Sequence, residues 1–339
     1  MKYISGILVF FLIVACVSEK AVTFSGETMG TYYNIKIASV NLDDTEQKSL
    51  KNDIDDLLVN INNHMSTYIE TSEISRFNLA PANTPFKVSD SFLKVLSLAS
   101  QITAESGGAF DVTVMPVVNL WGFGRMGRRE EPPSEGEVEQ LRASVGMDKI
   151  VIDSNKIYKT HANTELDFSA IAKGYGVDAV AQLLADKGFH NYMVEIGGEV
   201  VVNGLNEKNQ TWRIGIDKPD IEPSVERSFQ AILELSNEAI ATSGDYRNYF
   251  ISGDSLYSHT IDPVTCRPIH NGVASVTVIA PNCALADAMA TAIMVMGETR
   301  GLEWVESKAG VETMIIVRQQ DRFRVSTSSG FNSFVANNQ

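Results

Sequence analysis

The sequence predicts an α+β fold, with mainly antiparallel sheets packed against helices. Three observations predict it. Short apolar alternations follow one another closely from about residue 192 to 280, parted only by turn residues, which favours antiparallel pairing. Helical stripes lie mostly in the first half and return near 283–308. No regular strand–helix–strand alternation and no short repeat runs through the 339 residues.

The elements follow in order. Residues 1–15 read as a leader: Lys2 is a small basic start, and Ile7 to Val14 is an apolar run too short for a stable anchor. The run ends in Ile13-Val14-Ala15-Cys16, which resembles a bacterial lipoprotein cleavage box, so Cys16 is the expected lipidated N-terminus rather than an incidental cysteine after a plain secretory signal. Residues 16–22 are then a tether, and 23–339 one folded domain. Ala21 to Ala38 reads as two strands around Met29-Gly30-Thr31-Tyr32. Leu50, Ile54, Leu57, Leu58 and Ile61 stripe a helix within Asp44–Asn63, and Asn62 to Tyr68 is a polar turn region. Ser89 or Asp90 starts a second helix, with Leu93, Leu96 and Leu98 inward, ending before Gly107-Gly108.

Gly108 to Val114 reads as a loop entering a strand, and Pro116 to Gly124 as an aromatic stretch flanked by glycine. Arg125 to Pro133 has the charges and prolines of a surface loop. Ser134 and Glu137 form a capping box for a short helix ending near Gly146, and hairpin signals follow. Leu166-Asp167-Phe168-Ser169 then opens a helix over about 170–187, with Ser169 as its N-cap. Strands are expected at Tyr192–Ile196, Glu199–Gly204, Trp212–Asp217, Phe229–Leu235, Ala239–Ser243, Leu256–Ile261 and Ser275–Ala280. Cys283 to Met296 is a buried helix ended by Gly297; a helix near Arg300–Lys308 and two strands close the chain.

Composition narrows the chemistry. A net charge of −14 argues against nucleic-acid binding, which needs a basic face. An anionic ligand could still bind where backbone dipoles, a lysine or a metal supply local positive charge. Cys266 and Cys283 remain after lipidation of Cys16, either as a disulfide or as two thiols. No His/Cys cluster has zinc spacing. There is no G-x-x-x-x-G-K-[ST], no G-x-G-x-x-G and no G-x-S-x-G, so P-loop, Rossmann and α/β-hydrolase readings lack support.

Several polar residues stand in apolar or glycine-rich settings. Lys173 falls one turn into its helix, and Gly174 and Gly176 follow. The stretch reads either as a phosphate site, with free N–H groups, a lysine and glycines that let a backbone or ligand come close, or as an ordinary strand-to-helix junction with two helix-weakening glycines. Asp287 is a lone carboxylate with no visible compensation in the apolar run CALADAMATA, with Thr291 one turn on. The pair reads either as oxygen ligands for Mg²⁺ or as a helix-start acid beside an intrahelical Thr hydrogen bond. His259 ends an expected strand, as a general base or as a solvent-facing histidine beside a turn. Glu195-Ile196-Gly197-Gly198-Glu199 and Thr242-Ser243-Gly244-Asp245-Tyr246-Arg247 read as polar turns.

In order, the chain carries MGTYY, STY, GAFDVTV, NLWGFG, LDFSAIAKGYGVD, VEIGGE, ATSGDYRNY, YSHTIDP and ADAMATA. This series resembles the ApbE family, the FAD:protein FMN transferases, from roughly Phe24 to Phe323. The resemblance implies an ApbE-like fold and a reaction that cleaves FAD, attaches FMN to a threonine of an acceptor protein and releases AMP. It implies that Met29, Tyr68, Ala109, Phe110, Asp111, Asp167, Lys173 and Ile261 line the FAD site. Ala170, by its carbonyl, with Asp287, Ala290 and Thr291 would hold Mg²⁺, and His259 would activate the acceptor hydroxyl. One departure stands out: Cys266 occupies a glycine position in the family's Asp-Pro-x-Thr-Gly-x-Pro turn, which puts that turn's positive φ in question.

The implied acceptors are flavoprotein subunits of membrane redox pumps, of the Na⁺-translocating NADH:quinone reductase or RNF type. With the lipid anchor, this points to the periplasmic side of the bacterial cell membrane. Val17 rather than aspartate follows Cys16, so an inner-membrane retention signal is missing, yet the acceptors favour the inner membrane. Two rival readings share the residues: an FAD pyrophosphatase with water as acceptor, and a non-catalytic FAD-binding lipoprotein.

Overall fold

The structure is a computed structural model that describes residues 21–336 apart from 126, 128, 130, 220–227, 246–248, 253–254 and 321. The expected leader, Cys16 and most of the tether lie outside the described residues, as do Tyr246 and Arg247. Among the described residues no helix is long and apolar enough to cross a membrane.

The frame is an eight-stranded sheet, antiparallel throughout. Its strands are β1 (Val22–Thr28), β2 (Thr31–Ile37), β3 (Tyr192–Ile196), β4 (Glu199–Asn203), β5 (Ala239–Gly244), β6 (Val273–Ala280), β7 (Glu312–Gln319) and β8 (Arg322–Thr327). Their order across the sheet is their order along the chain. Apart from the segment after β8, everything else is inserted into this meander. Alternation along each strand sorts side chains to two faces. Ile35, Val194, Ile196 and Ala239 pack on the helical side. Val200, Val202, Ile240, Ile279, Met314 and Ile316 pack on the other, with Trp212, Leu233 and Phe331. Strand β6 is covered on both faces, so all of its residues are buried, and only Ser275 and Thr277 interrupt its apolar run.

The helices are α1 (Asp44–Met65), α2 (Glu73–Leu79), α3 (Asp90–Glu105), α4 (Met115–Leu120), α5 (Glu135–Arg142), α6 (Ala172–Asp186), α7 (Cys283–Met296) and α8 (Glu298–Glu306). Asp43 and Glu46 form a capping box on α1, whose buried stripe is Leu50, Ile54, Leu58, Ile61 and Met65. The expected capping box of α5, Ser134 with Glu137, is formed.

Four expectations need correction. Helix α2 falls where the reading placed no element; Ser72 caps it at the Ser75 amide, and Ile74 and Phe77 anchor it. The inward face of α3 is Phe92, Val95, Leu96, Ala99 and Ile102, with Leu93 and Leu98 only half-buried at its flanks. Residues 108–114 enter no strand: Asp111 takes the Thr113 N–H and hydroxyl into a local turn, and Pro116 opens α4. Ser169 does not cap α6. Its amide and hydroxyl both go to Asp167, so the N-cap is Ile171 and has no side-chain capping bond.

Two features hold α6 against α7. A Cβ at Gly174 would lie 2.4 Å from the Cys283 carbonyl oxygen, so this glycine lets the two backbones touch. The Asp178 carboxylate accepts the Cys283 and Ala284 amides at 2.7 and 2.8 Å and so caps the start of α7 from α6. Cys266 and Cys283 are buried free thiols in separate cores, Cys283 beside α1 and α6 and Cys266 beside Val117 and Trp121, so no disulfide links them. Cys266 adopts φ 57, and its amide bonds the Asp262 carbonyl at 2.8 Å, so the turn keeps its positive φ without glycine.

Candidate functional site

The insertions meet over one cavity of about 810 Å³. Nothing in the sequence's local pattern says that they should, since its wall is drawn from eight separate stretches. Tyr68 stands at its edge, 71% exposed, with its ring available for stacking. Ala109, Phe110 and Asp111 form the wall ahead of α4. Asp167, Ala170 and Lys173 come from the entry to α6, and Asp287 and Thr291 from one face of α7. His259 and Ile261 come from the segment after β5, where the expected strand Leu256–Ile261 is broken by a bend at His259 into Ser255–Ser258 and Ile261–Asp262. The His259 ring stands edge-on to Phe123, centroids 6.4 Å apart.

Two expected residues lie elsewhere. Met29 does not line the cavity; it fills the space over Gly176, where an added Cβ would come 2.8 Å from Met29 Cε. Ala290 is fully buried in the main core and offers no side-chain donor. Position 290 does not line the cavity, whereas Asp287 and Thr291 do.

The centre of the site is a buried charge group. Lys173 Nζ lies 2.6 Å from Glu199 Oε1 and 4.0 Å from Asp287 Oδ1, while Asp287 Oδ2 accepts the Gly174 N–H at 3.0 Å. The expectation that Asp287 has no visible compensation is therefore corrected: it has a lysine and an amide. Burial works against the charged lysine, but Asp287 and Glu199 outweigh it and raise the Lys173 pKa above the ordinary value. Burial is also the main cause that lifts Glu199 to about 7, with Asp287 adding and Lys173 opposing. Asp178 is pushed up to about 6, again chiefly by burial, against the pull of the two amides it caps. Burial likewise raises Asp111 and Asp167, opposed by the donors of Thr113 and Ser169 respectively.

Sequence reasoning missed Glu199 as a site residue. The Gly197-Gly198 turn, with φ 63 and 106, makes Ile196 and Glu199 a closing pair, so both side chains share a face. Ile196 packs on the helical side. Glu199 must therefore point at α6, where it is 3% exposed. A buried acid directly after Gly-Gly in an apolar strand was the available signal. Ser243 was also missed; its hydroxyl lies 3.2 Å from Thr291 Oγ1. The ribbon Trp212–Asp217 with Phe229–Leu235 contributes Ile214 to Asp217 to the wall, for which the sequence carried no signal.

The residues fit a hard cation such as Mg²⁺. Among the described residues no cluster of three or more His, Cys, Asp or Glu could hold a metal, so the donors must be mixed. The Asp287 carboxylate and Thr291 hydroxyl are hard oxygens on one helical face. Gly174 gives its N–H to Asp287 and not to the Ala170 carbonyl one turn back, which leaves that carbonyl outside the helix ladder at the cavity wall.

The profile of the ApbE family matches residues 29–315. The FAD:protein FMN transferase of Vibrio cholerae is 46% identical over 316 residues, covering 93% of both chains. That of Haemophilus influenzae is 40% identical over 339 residues, covering 97% of both. The solved flavin transferase ApbE from Vibrio cholerae superposes with a TM-score of 0.84 at 43% identity, over 93% of this chain and 99% of that one. The apo flavinyl transferase ApbE of Pseudomonas stutzeri gives 0.82 at 35% identity, over 94% and 99%. With a matched profile, relatives of nearly full length and a shared fold, the chain belongs to the ApbE family.

Proposed function

We propose that this enzyme is a Mg²⁺-dependent FAD:protein FMN transferase. The observation that carries the reading is one cavity, of a size common for cofactor sites, that gathers Lys173, Asp287, Thr291 and His259 from three insertions. In the reaction an acceptor threonine oxygen bonds to the phosphorus on the flavin side of the FAD diphosphate. The bond from that phosphorus to the bridging oxygen breaks, and AMP leaves with the oxygen. His259 takes the hydroxyl proton. Lys173 presents positive charge to the diphosphate, and Tyr68 offers a face to a flat ring. Asp111, Asp167, Ala109, Phe110 and Ile261 shape the FAD pocket around them. Asp287, Thr291 and the Ala170 carbonyl would hold Mg²⁺, which when bound neutralises diphosphate oxygens.

The test is mass spectrometry of an acceptor flavoprotein subunit after incubation with the enzyme, FAD and Mg²⁺. The expected result is FMN on one threonine with one AMP per transfer. Free FMN and AMP without the adduct would make the enzyme a pyrophosphatase. Retained FAD without AMP would make it a binding lipoprotein.

The place of action proposed with this function is the periplasmic face of the inner membrane, held by lipid on Cys16. What supports it is the cleavage box ending at Ala15-Cys16 and an acidic body that would not adhere to anionic lipid by charge. Cys16→Ala is expected to lose palmitate labelling and leave the membrane fraction, with transfer in vitro unchanged. A labelled, membrane-bound variant would overturn the anchor.

A further inference from the structure

One lysine sits between two buried carboxylates and is not shared equally. Lys173 Nζ is in hydrogen-bond contact with Glu199 at 2.6 Å but stands off Asp287 at 4.0 Å. The Glu199 and Asp287 side chains are 4% and 5% exposed. Buried charges this close interact strongly, so the position of the ammonium decides how much of the Asp287 charge is left for anything else. Glu199 is itself held: the Gly197-Gly198 turn fixes its strand position opposite Ile196, and its second oxygen, Oε2, is buried with no hydrogen-bond partner. A carboxylate fixed on a sheet and satisfied through one oxygen by one lysine is a tether for that lysine.

We propose that Glu199 is a positioning residue that holds Lys173 away from Asp287 and so keeps the Asp287 carboxylate available to the metal ion. Without Glu199 the ammonium closes the 4.0 Å gap, since the Lys173 stem is flexible and Asp287 is the remaining buried anion beside it. Lysine and metal then compete for one carboxylate. With Glu199 in place, the site presents an anion for the metal and a separate cation for the diphosphate.

The inference rests on the reading of Asp287 as a metal ligand, and the experiment separates the two. Mn²⁺ alone is titrated into the apoprotein without FAD, and free Mn²⁺ is read by electron paramagnetic resonance. Mn²⁺ favours the same oxygen donors as Mg²⁺. Glu199→Ala is expected to weaken Mn²⁺ binding on the order of tenfold, within the range of site–site couplings. Glu199→Gln, which keeps the volume, serves if the alanine variant melts below the wild type. The decisive arm is Lys173→Met: in that background Glu199→Ala is expected to change Mn²⁺ affinity not at all, because there is no ammonium to release. A loss that persists there would mean Glu199 acts through its own charge or through general packing, and would overturn the tether. Equal affinity in wild type and Glu199→Ala would overturn it too. Wild-type protein that binds no Mn²⁺, or Asp287→Asn binding it normally, would instead overturn the metal assignment beneath it.

Discussion

Asp287→Ala is expected to lower FAD cleavage by roughly a thousandfold or more and to abolish its dependence on Mg²⁺. Metal stabilisation of transition-state charge is worth several kcal/mol, and each ~1.4 kcal/mol is a factor of ten. The loss should be the same with threonine or water as acceptor, because it falls on departure of AMP. The alanine variant also strips the Gly174 N–H of its partner and Lys173 of one counter-charge, costing about 1–3 kcal/mol of stability. Asp287→Asn separates the two effects: its side-chain oxygen still accepts from Gly174, but the charge is gone. It is expected to fold and yet to fail in metal binding. Calorimetric Mg²⁺ titration with FAD present is the measurement, and normal affinity in the asparagine variant would remove Asp287 from the metal site.

His259→Ala should fail differently. The variant is expected to bind FAD and Mg²⁺ as the wild type does but to transfer FMN about 10²–10⁴-fold more slowly, the usual worth of a general base. A threonine hydroxyl is a poor nucleophile while it keeps its proton. Raising the pH should recover part of the rate in His259→Ala, since hydroxide can take over deprotonation, and none in Asp287→Ala. His259 sits in a bend between two short strands, edge-on to Phe123. In-gel flavin fluorescence of the acceptor follows the transfer. Unchanged labelling at neutral pH would falsify the role of base.

What was legible in the chain divides along a physical line. Elements that bury their own periodic pattern could be read: α1 from Leu50 to Ile61, α7 from its alanine-rich run, the strands from their alternation. Elements fixed by a contact far away in sequence could not. Ser169 has the residue type of a cap, but Asp167 two residues back competes for its hydroxyl and wins. Asp287 looked uncompensated because its partners, Lys173 and the Gly174 amide, come from another helix. Glu199 looked like turn polarity because only the pairing of β3 with β4 shows which face it takes. The Cys266 turn looked doubtful because residue type alone disfavours positive φ. The chain holds that conformation with a hydrogen bond from the Cys266 amide and another from Trp121 Nε1 to the Cys266 carbonyl at 3.0 Å. The types of residue that carry the site could be read, but the company each keeps could not.

The insertion of α7 between β6 and β7 has a consequence in time. The Gly174 amide and the Asp287 carboxylate that accepts it are 113 residues apart. A chain is made from its N-terminus at about 5–20 residues per second, so on the order of ten seconds separates Lys173 from Thr291. During that interval β1 to β5 can pair in the order in which they emerge, because neighbours in the sheet are neighbours in the chain. The nascent sheet can therefore grow without waiting, and Lys173 and Glu199, which pair in the folded protein, are both made before α7. The carboxylate and hydroxyl of α7 arrive last. Until they do, the cavity lacks the Asp287 carboxylate and the Thr291 hydroxyl, and a chain cut short before α7 is expected to be inactive however well its first six strands have formed.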